Sequence, residues 1–123
     1  MRIGVDIVSV SRVAHSLSTS PGFAPRIFSN GECEQAEQMP ERRAYEFLAG
    51  RFAVKEAVLK AMQAGLDSPI AMCDIETTAA EDGSPEIHLS ASALRASQSL
   101  DISEWHVSIS HENGYAIAFV VAH

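Results

Sequence analysis

Two carboxylates and a group of cations are the residues in this chain whose types could do chemistry. Asp6 interrupts Ile3-Gly4-Val5-Asp6-Ile7-Val8, a run that otherwise reads as a buried strand. An isolated buried carboxylate is expensive, so such a residue pairs, accepts hydrogen bonds or coordinates a metal. The plainer alternative is an acid on the exposed face of an edge strand. Glu56 stands four residues after Phe52 and four before Lys60, at the edge of an apolar helical stripe. Taken alone, it reads as a surface Glu–Lys pair worth a few tenths of a kcal/mol. Five of the nine cations, Arg42, Arg43, Arg51, Lys55 and Lys60, fall within nineteen residues. That clustering fits either a local anionic ligand or a solvated basic helix face. His111 ends a strand that also carries Ser108 and Ser110. A Ser-His hydrolase reading of Ser110 and His111 is poor, because no Gly-x-Ser-x-Gly elbow is present. His15, His88 and His123 lack metal-ligand spacing, and His106 has no assigned role. Gly65 opens no phosphate loop of Walker or dinucleotide type.

These residues need elements to hold them. Met1–Val10 reads as a first strand, passing into a short helix through about Leu17. Thr19–Pro25, with its Ser, Pro and Gly, reads as a loop. Ser29 is an N-cap with Glu32 three residues on, the spacing of a capping box. Glu41–Ala64 is the strongest helical segment, with Pro40 at its start and Gly65 as its expected C-cap. At about 1.5 Å per residue it would run roughly 36 Å. Tyr45, Leu48, Phe52 and Leu59 mark its apolar stripe, with Ala49, Ala53 and Ala57 beside it. Asp74–Ala80 and Glu86–Ser90 read as strands around Glu81-Asp82-Gly83-Ser84-Pro85, and Ala91–Leu100 as a short helix. Trp105–His111 and Tyr115–Ala122 form a hairpin around Asn113-Gly114. Hairpin-joined strands without regular crossover helices predict an α+β fold, a mainly antiparallel sheet packed on one long helix and shorter ones.

Composition narrows the function classes. A chain of 123 residues, 46% hydrophobic and 20% charged, describes one ordinary globular domain spanning residues 1–123. Its longest wholly apolar run, Ala116–Ala122, is far short of the roughly 20 residues a membrane helix needs. The first apolar stretch meets Asp6 too early for a signal peptide. Cys33 and Cys73 lack Cys-x-x-Cys partners, which suits a reducing cytoplasm and argues against a zinc site or a disulfide scaffold. A net charge of −7 argues against a general nucleic-acid binder. Residues 1–60 nevertheless carry +1 and residues 61–123 carry −8, so the cations are concentrated where Asp6 and Glu56 lie.

Several spaced motifs resemble one family in order. Gly50-Arg51-Phe52-Ala53-Val54-Lys55-Glu56-Ala57-Val58-Leu59-Lys60 resembles the signature helix of the 4′-phosphopantetheinyl transferases. Gly4-Val5-Asp6-Ile7-Val8 is similar to that family's first strand. Phe23-Ala24-Pro25-Arg26-Ile27-Phe28, Glu46-Phe47-Leu48-Ala49-Gly50-Arg51-Phe52, Asp74-Ile75-Glu76 and Val107-Ser108-Ile109-Ser110-His111 also fall in the family order. The resemblance covers nearly the whole chain and is to the small, single-domain branch that acts on acyl carrier proteins.

It implies a reaction: coenzyme A donates its phosphopantetheine arm to a serine of an apo acyl carrier protein or carrier domain, releasing 3′,5′-ADP. Asp6 and Glu56 would then be the magnesium ligands and Lys60 a phosphate partner, the three forming the catalytic set. Glu56, or water beside it, would take the serine proton. Arg51 matches a phosphate-binding arginine and His111 a histidine at the nucleotide end. Ser110, Arg42, Arg43 and Lys55 would join them around coenzyme A. Relatives assemble as trimers with the site between neighbours, and the apolar C-terminal hairpin is the candidate interface. Two departures stand out. Phe52 occupies a position where relatives often carry tryptophan. Ser11–Phe28 offers only Arg12 and Arg26 to dock an acidic carrier. The alternative reading is a non-catalytic protein that binds coenzyme A and carrier on the same fold; a magnesium-dependent phosphohydrolase ranks third.

Overall fold

A computed structural model describes residues 1–65 and 67–123. Strand β1 (Arg2–Ser9) pairs antiparallel with β5 (Tyr115–Ala122), and β5 with β4 (Trp105–Glu112), giving the order β1-β5-β4. Asn113 and Gly114 at the β4–β5 turn have φ of 50° and 78°. Positive φ at both positions is what a two-residue type I′ hairpin requires. A separate antiparallel pair, β2 (Ile75–Ala79) and β3 (Pro85–Leu89), lies beside β4. The architecture is the expected α+β one.

Helix α4 (Glu41–Ala61) packs across the inner face of the three-stranded sheet. Strand alternation decides what it meets. Gly4, Val8, Ala116, Ala118, Val120 and Ala122 are buried, while Ile3, Val5, Ile7, Tyr115, Ile117 and Phe119 are exposed on the outer face. The helix answers small residues with small residues: Ala49, Ala53 and Ala57 are fully buried. Of the bulky stripe expected to lead, Leu48 is buried, while Phe52 and Leu59 are only partly so. The alanines form the centre of the contact because α4 and the sheet approach too closely for larger side chains.

Around this unit stand α1 (Val10–Thr19), α2 (Phe23–Ile27), α3 (Asn30–Glu37) and α5 (Ala91–Ser99). Three expectations need correcting. Phe23–Pro25 is helical rather than loop. Pro25 is tolerated in the first turn, where a backbone N–H lacks a helical partner in any case. Helix α4 ends at Ala61, not Ala64, because Gln63 adopts φ of 57°. Its N–H donates to Lys60 O and the Ala64 N–H to Leu59 O, a Schellman ending that needs no contribution from Gly65. Asp74 lies in a 3-10 turn, Met72–Asp74, rather than in β2. Its carboxylate accepts from the Ser92 N–H at 3.0 Å and the Ser92 hydroxyl at 2.6 Å. Among the described residues, no helix is long and apolar enough to cross a membrane.

Candidate active site

The site starts at Gly4. An ideal Cβ placed there would sit 1.9 Å from the Ala57 carbonyl oxygen. The absence of a side chain lets β1 cross α4 at this point, and two residues on, strand alternation turns Asp6 toward the same face. Glu56 and Lys60 lie one helical turn apart on α4 and meet Asp6 there. Lys60 Nζ donates to Asp6 Oδ1 at 2.9 Å and to Val5 O at 3.0 Å, which leaves one N–H without a partner among the described residues. Burial pushes the Glu56 carboxyl above its ordinary range; the Asp6 carboxylate pushes it further, against an opposing pull from Lys60.

A carboxylate whose ionisation is opposed by burial and by a second carboxylate beside it suits a hard divalent cation, since magnesium is commonly held by one or two carboxylates plus phosphate oxygens. Both line a cleft of about 360 Å³ with Arg12 at its rim. Its apolar wall is Phe52 stacked on Phe23, ring centroids 6.2 Å apart. Phenylalanine at position 52 therefore keeps an aromatic anchor.

The basic residues divide. Arg51 is half-buried, its guanidinium 4.4 Å from the centre of the Phe47 ring. Burial lowers its pKa, Glu32 counteracts, and Arg43 lowers it further. Among the described residues, the buried Nε of Arg51 has no hydrogen-bond partner. An arginine held this way has donors left for an anion. Arg42 and Arg43 are exposed on the first turn of α4, Arg42 4.0 Å from Glu46. Arg42, Glu46 and His111 line a second cleft of about 420 Å³. His111 Nε2 donates to the Glu46 carbonyl at 3.0 Å and packs on Gly50, where a Cβ would stand 3.0 Å from that nitrogen. Nδ1 is left to accept. Ser108 and Ser110 alternate with inward-facing Ile109 and so stand on the sheet's outer face, opposite His111 within one chain.

Lys55 is a correction. Its side chain is 0% exposed and its ammonium lies 2.7 Å from the buried Glu32 carboxylate. It also donates to the Met72 and Ile75 carbonyls. All three N–H donors are used, so none remains for a phosphate. Glu32 is the residue that sequence reasoning under-read. One oxygen closes the capping box by accepting from the Ser29 N–H at 3.0 Å and also holds Lys55, while the other accepts from the Thr77 N–H at 3.0 Å. The capping signature marked Glu32, but nothing local indicated a partner across the core. Lys55→Met is expected to lower the unfolding free energy by about 3–5 kcal/mol, because it strands a buried carboxylate. Denaturant melts check this; an unchanged melt with weakened coenzyme A binding would return Lys55 to the ligand-binding set.

The family model described as the 4′-phosphopantetheinyl transferase superfamily matches residues 2–120, and the chain belongs to that family. Holo-[acyl-carrier-protein] synthase of Frankia alni is 42% identical over 120 residues, covering 98% of this chain and 94% of that protein. The crystal structure of holo-[acyl-carrier-protein] synthase from Neisseria meningitidis superposes with a TM-score of 0.88 at 31% identity, over 99% of this chain and 97% of that one. The Helicobacter pylori synthase in complex with coenzyme A gives 0.82 at 32%, over 98% and 99%. Within the superfamily the chain lies on the holo-[acyl-carrier-protein] synthase branch, and its chemistry is phosphopantetheinyl transfer.

Proposed function

We propose that this chain, as one domain over residues 1–123, transfers 4′-phosphopantetheine from coenzyme A to a serine of an apo acyl carrier protein, with magnesium held by Asp6 and Glu56. The observation that carries the reading is the convergence of Asp6, Glu56 and Lys60 at one crossing of β1 on α4, beside an open cleft. The serine oxygen forms a bond to the phosphorus bearing the pantetheine arm. The bond from that phosphorus to the bridging oxygen breaks, and 3′,5′-ADP leaves with the electron pair. Phosphoryl transfer asks mostly for positioning and charge neutralisation. When bound, magnesium supplies neutralisation of the diphosphate oxygens. Lys60 offers its remaining N–H to the same charge, and Glu56 or water beside it takes the serine proton. Arg42, Arg43 and Arg51 lie between the start and the middle of α4, and His111 of β4 bonds to the Glu46 carbonyl of that helix; the adenosine phosphates of coenzyme A would be held there.

Arg12 at the cleft rim and exposed Arg26 on α2 are the cations available to an acidic carrier. Free Cys33 and Cys73 accord with a reducing cytoplasm. The test combines the protein with apo carrier, coenzyme A and magnesium and reads the carrier's mass. Gain of one phosphopantetheine supports transfer; coenzyme A cleavage without gain supports a phosphohydrolase; binding alone supports a non-catalytic protein.

The outer sheet face supports assembly as a homotrimer with the site between subunits. Ile3, Val5, Ile7, Ile117 and Phe119 leave it apolar and exposed, as an interface would be. Ser110 stands on that face and His111 on the other, so Ser110 would serve a neighbour's ligand. Mixing His111→Ala with Glu56→Ala protein, each inactive alone, is expected to restore measurable transfer after subunit exchange. No recovery after demonstrated exchange, or a monomer in sedimentation, counts against the shared site.

A further inference from the structure

The sequence spacing of Glu104, His106 and His123 carries no metal signature, yet the fold brings them to one point. His106 Nε2 and His123 Nε2 lie 3.2 Å apart, with stacked rings. Glu104 Oε2 stands 3.6 Å from the first and 3.4 Å from the second. Among the described residues, this is the one group of three potential metal-ligand side chains whose ligand atoms cluster within 4.8 Å. A zinc-type ion sits about 2.0–2.1 Å from nitrogen and oxygen ligands, which in a tetrahedral shell spaces those ligands about 3.3–3.4 Å apart. The three observed separations bracket that value. A single shared proton can join only two of these atoms; a cation joins all three.

The backbone holds the arrangement. Glu104 N–H donates to His123 O at 2.8 Å, His123 N–H donates back to Glu104 O at 3.0 Å, and Ser103 N–H donates to His123 O at 2.9 Å. His106 pairs with Val121 in the sheet and faces outward, in the row of Ile3. That row is three removed from Asp6 and on the opposite face of the sheet. In the single chain all three side chains are more than half exposed; because His106 shares the outward row of Ile3, on the face proposed as the subunit interface, the fourth position is open to water or to a group from a neighbouring subunit. Two imidazoles and one carboxylate select zinc, nickel or copper over magnesium, which prefers all-oxygen surroundings.

We propose that Glu104, His106 and His123 form a binding site for a divalent transition-metal ion of the zinc type, separate from the Asp6–Glu56 centre. Bound there, the ion clasps the end of β5 to the start of β4.

The test titrates tag-free, metal-stripped full-length protein with zinc sulfate in excess magnesium chloride, by calorimetry, and records the melting temperature. One zinc per chain and a raised melting temperature, reversed by chelator, are expected. His106→Ala and His123→Ala should each weaken zinc binding by at least about tenfold, by analogy with the 10–100-fold cost of lesser changes around metal sites. Cobalt in place of zinc should give the intense visible bands of a tetrahedral ion in the wild type and lose them in both variants. Zinc binding that survives both histidine substitutions, or that disappears in Glu56→Ala instead, would overturn the proposal. So would no binding by folded wild-type protein.

Discussion

Glu56→Gln is expected to abolish most transfer while leaving the metal-free protein at least as stable as the wild type. The activity loss should be on the order of 10²–10³ in kcat, the scale of removing one electrostatic partner from a charged transition state. Glutamine keeps the shape and the apolar packing beside Phe52 but cannot ionise, so it offers neither a negative ligand nor a base. The stability half follows from the direction of the Glu56 shift. Burial and Asp6 raise its folded-state pKa, so the folded protein favours the protonated form relative to the unfolded chain. The sign is therefore opposite to that of a salt-bridged carboxylate. Glu56 contributes stability below its unfolded pKa, and that contribution is lost as pH rises through the higher folded value. Above that folded value the ionised carboxylate is a burden on the metal-free fold, one that a divalent cation relieves. Three measurements check this: transfer rate, melting temperature without metal across pH 4–8, and the rise in melting temperature on adding magnesium. Wild type should gain more from magnesium than Glu56→Gln does. Equal magnesium stabilisation of both proteins, or full transfer by the variant, would remove Glu56 from the metal centre.

The elements that hold this site were largely legible because their signals are local. The Asn113-Gly114 hairpin, the Ser29–Glu32 capping box and the amphipathic stretch beginning at Glu41 all appear where turn chemistry, capping and periodicity place them. What escaped was non-local. Lys55 looks from its neighbours like one more cation on a basic helix, and only the folded core reveals Glu32 against it. The exit of α4 was misplaced because Gly65 is the residue that adopts positive φ most cheaply, yet Gln63 does so once two carbonyl bonds reward it. Ser110 and His111 are adjacent in sequence and on opposite faces of a strand, which alternation alone could have separated. Glu104 and His106 needed the β4–β5 register and the chain's last hydrogen bonds to find His123. Asp6, Glu56 and Lys60 sit between these cases. Helical spacing placed Glu56 beside Lys60, but only the strand–helix crossing brought Asp6 to them.

That crossing is the basis of the second large effect: Gly4→Ala is expected to cost both stability and transfer. The added methyl would stand 1.9 Å from a main-chain oxygen and 2.9 Å from the Ala61 nitrogen. Real Cβ atoms do not approach so closely, and neither struck atom belongs to a side chain that could swing away. Burying a methyl group gains less than about 1 kcal/mol, whereas forcing a packed core apart costs about 1–3 kcal/mol or more. The clash therefore wins, and β1 must lift from α4. Asp6 rides on β1, two residues away, while Glu56 and Lys60 stay on the helix. Separating them by even 1 Å can cost on the order of 10²-fold in rate. The Asp6–Lys60 contact at 2.9 Å would be the first to open. Gly22→Ala is the control, since a Cβ there meets nothing within 4 Å and its φ is −84°. Denaturant melts should show Gly4→Ala destabilised by about 2 kcal/mol or more, and Gly22→Ala near wild type. At a temperature where Gly4→Ala remains folded, its magnesium requirement should rise and its kcat fall. A Gly4→Ala protein as stable and as active as the Gly22→Ala control would mean that β1 and α4 do not meet closely enough to build the site.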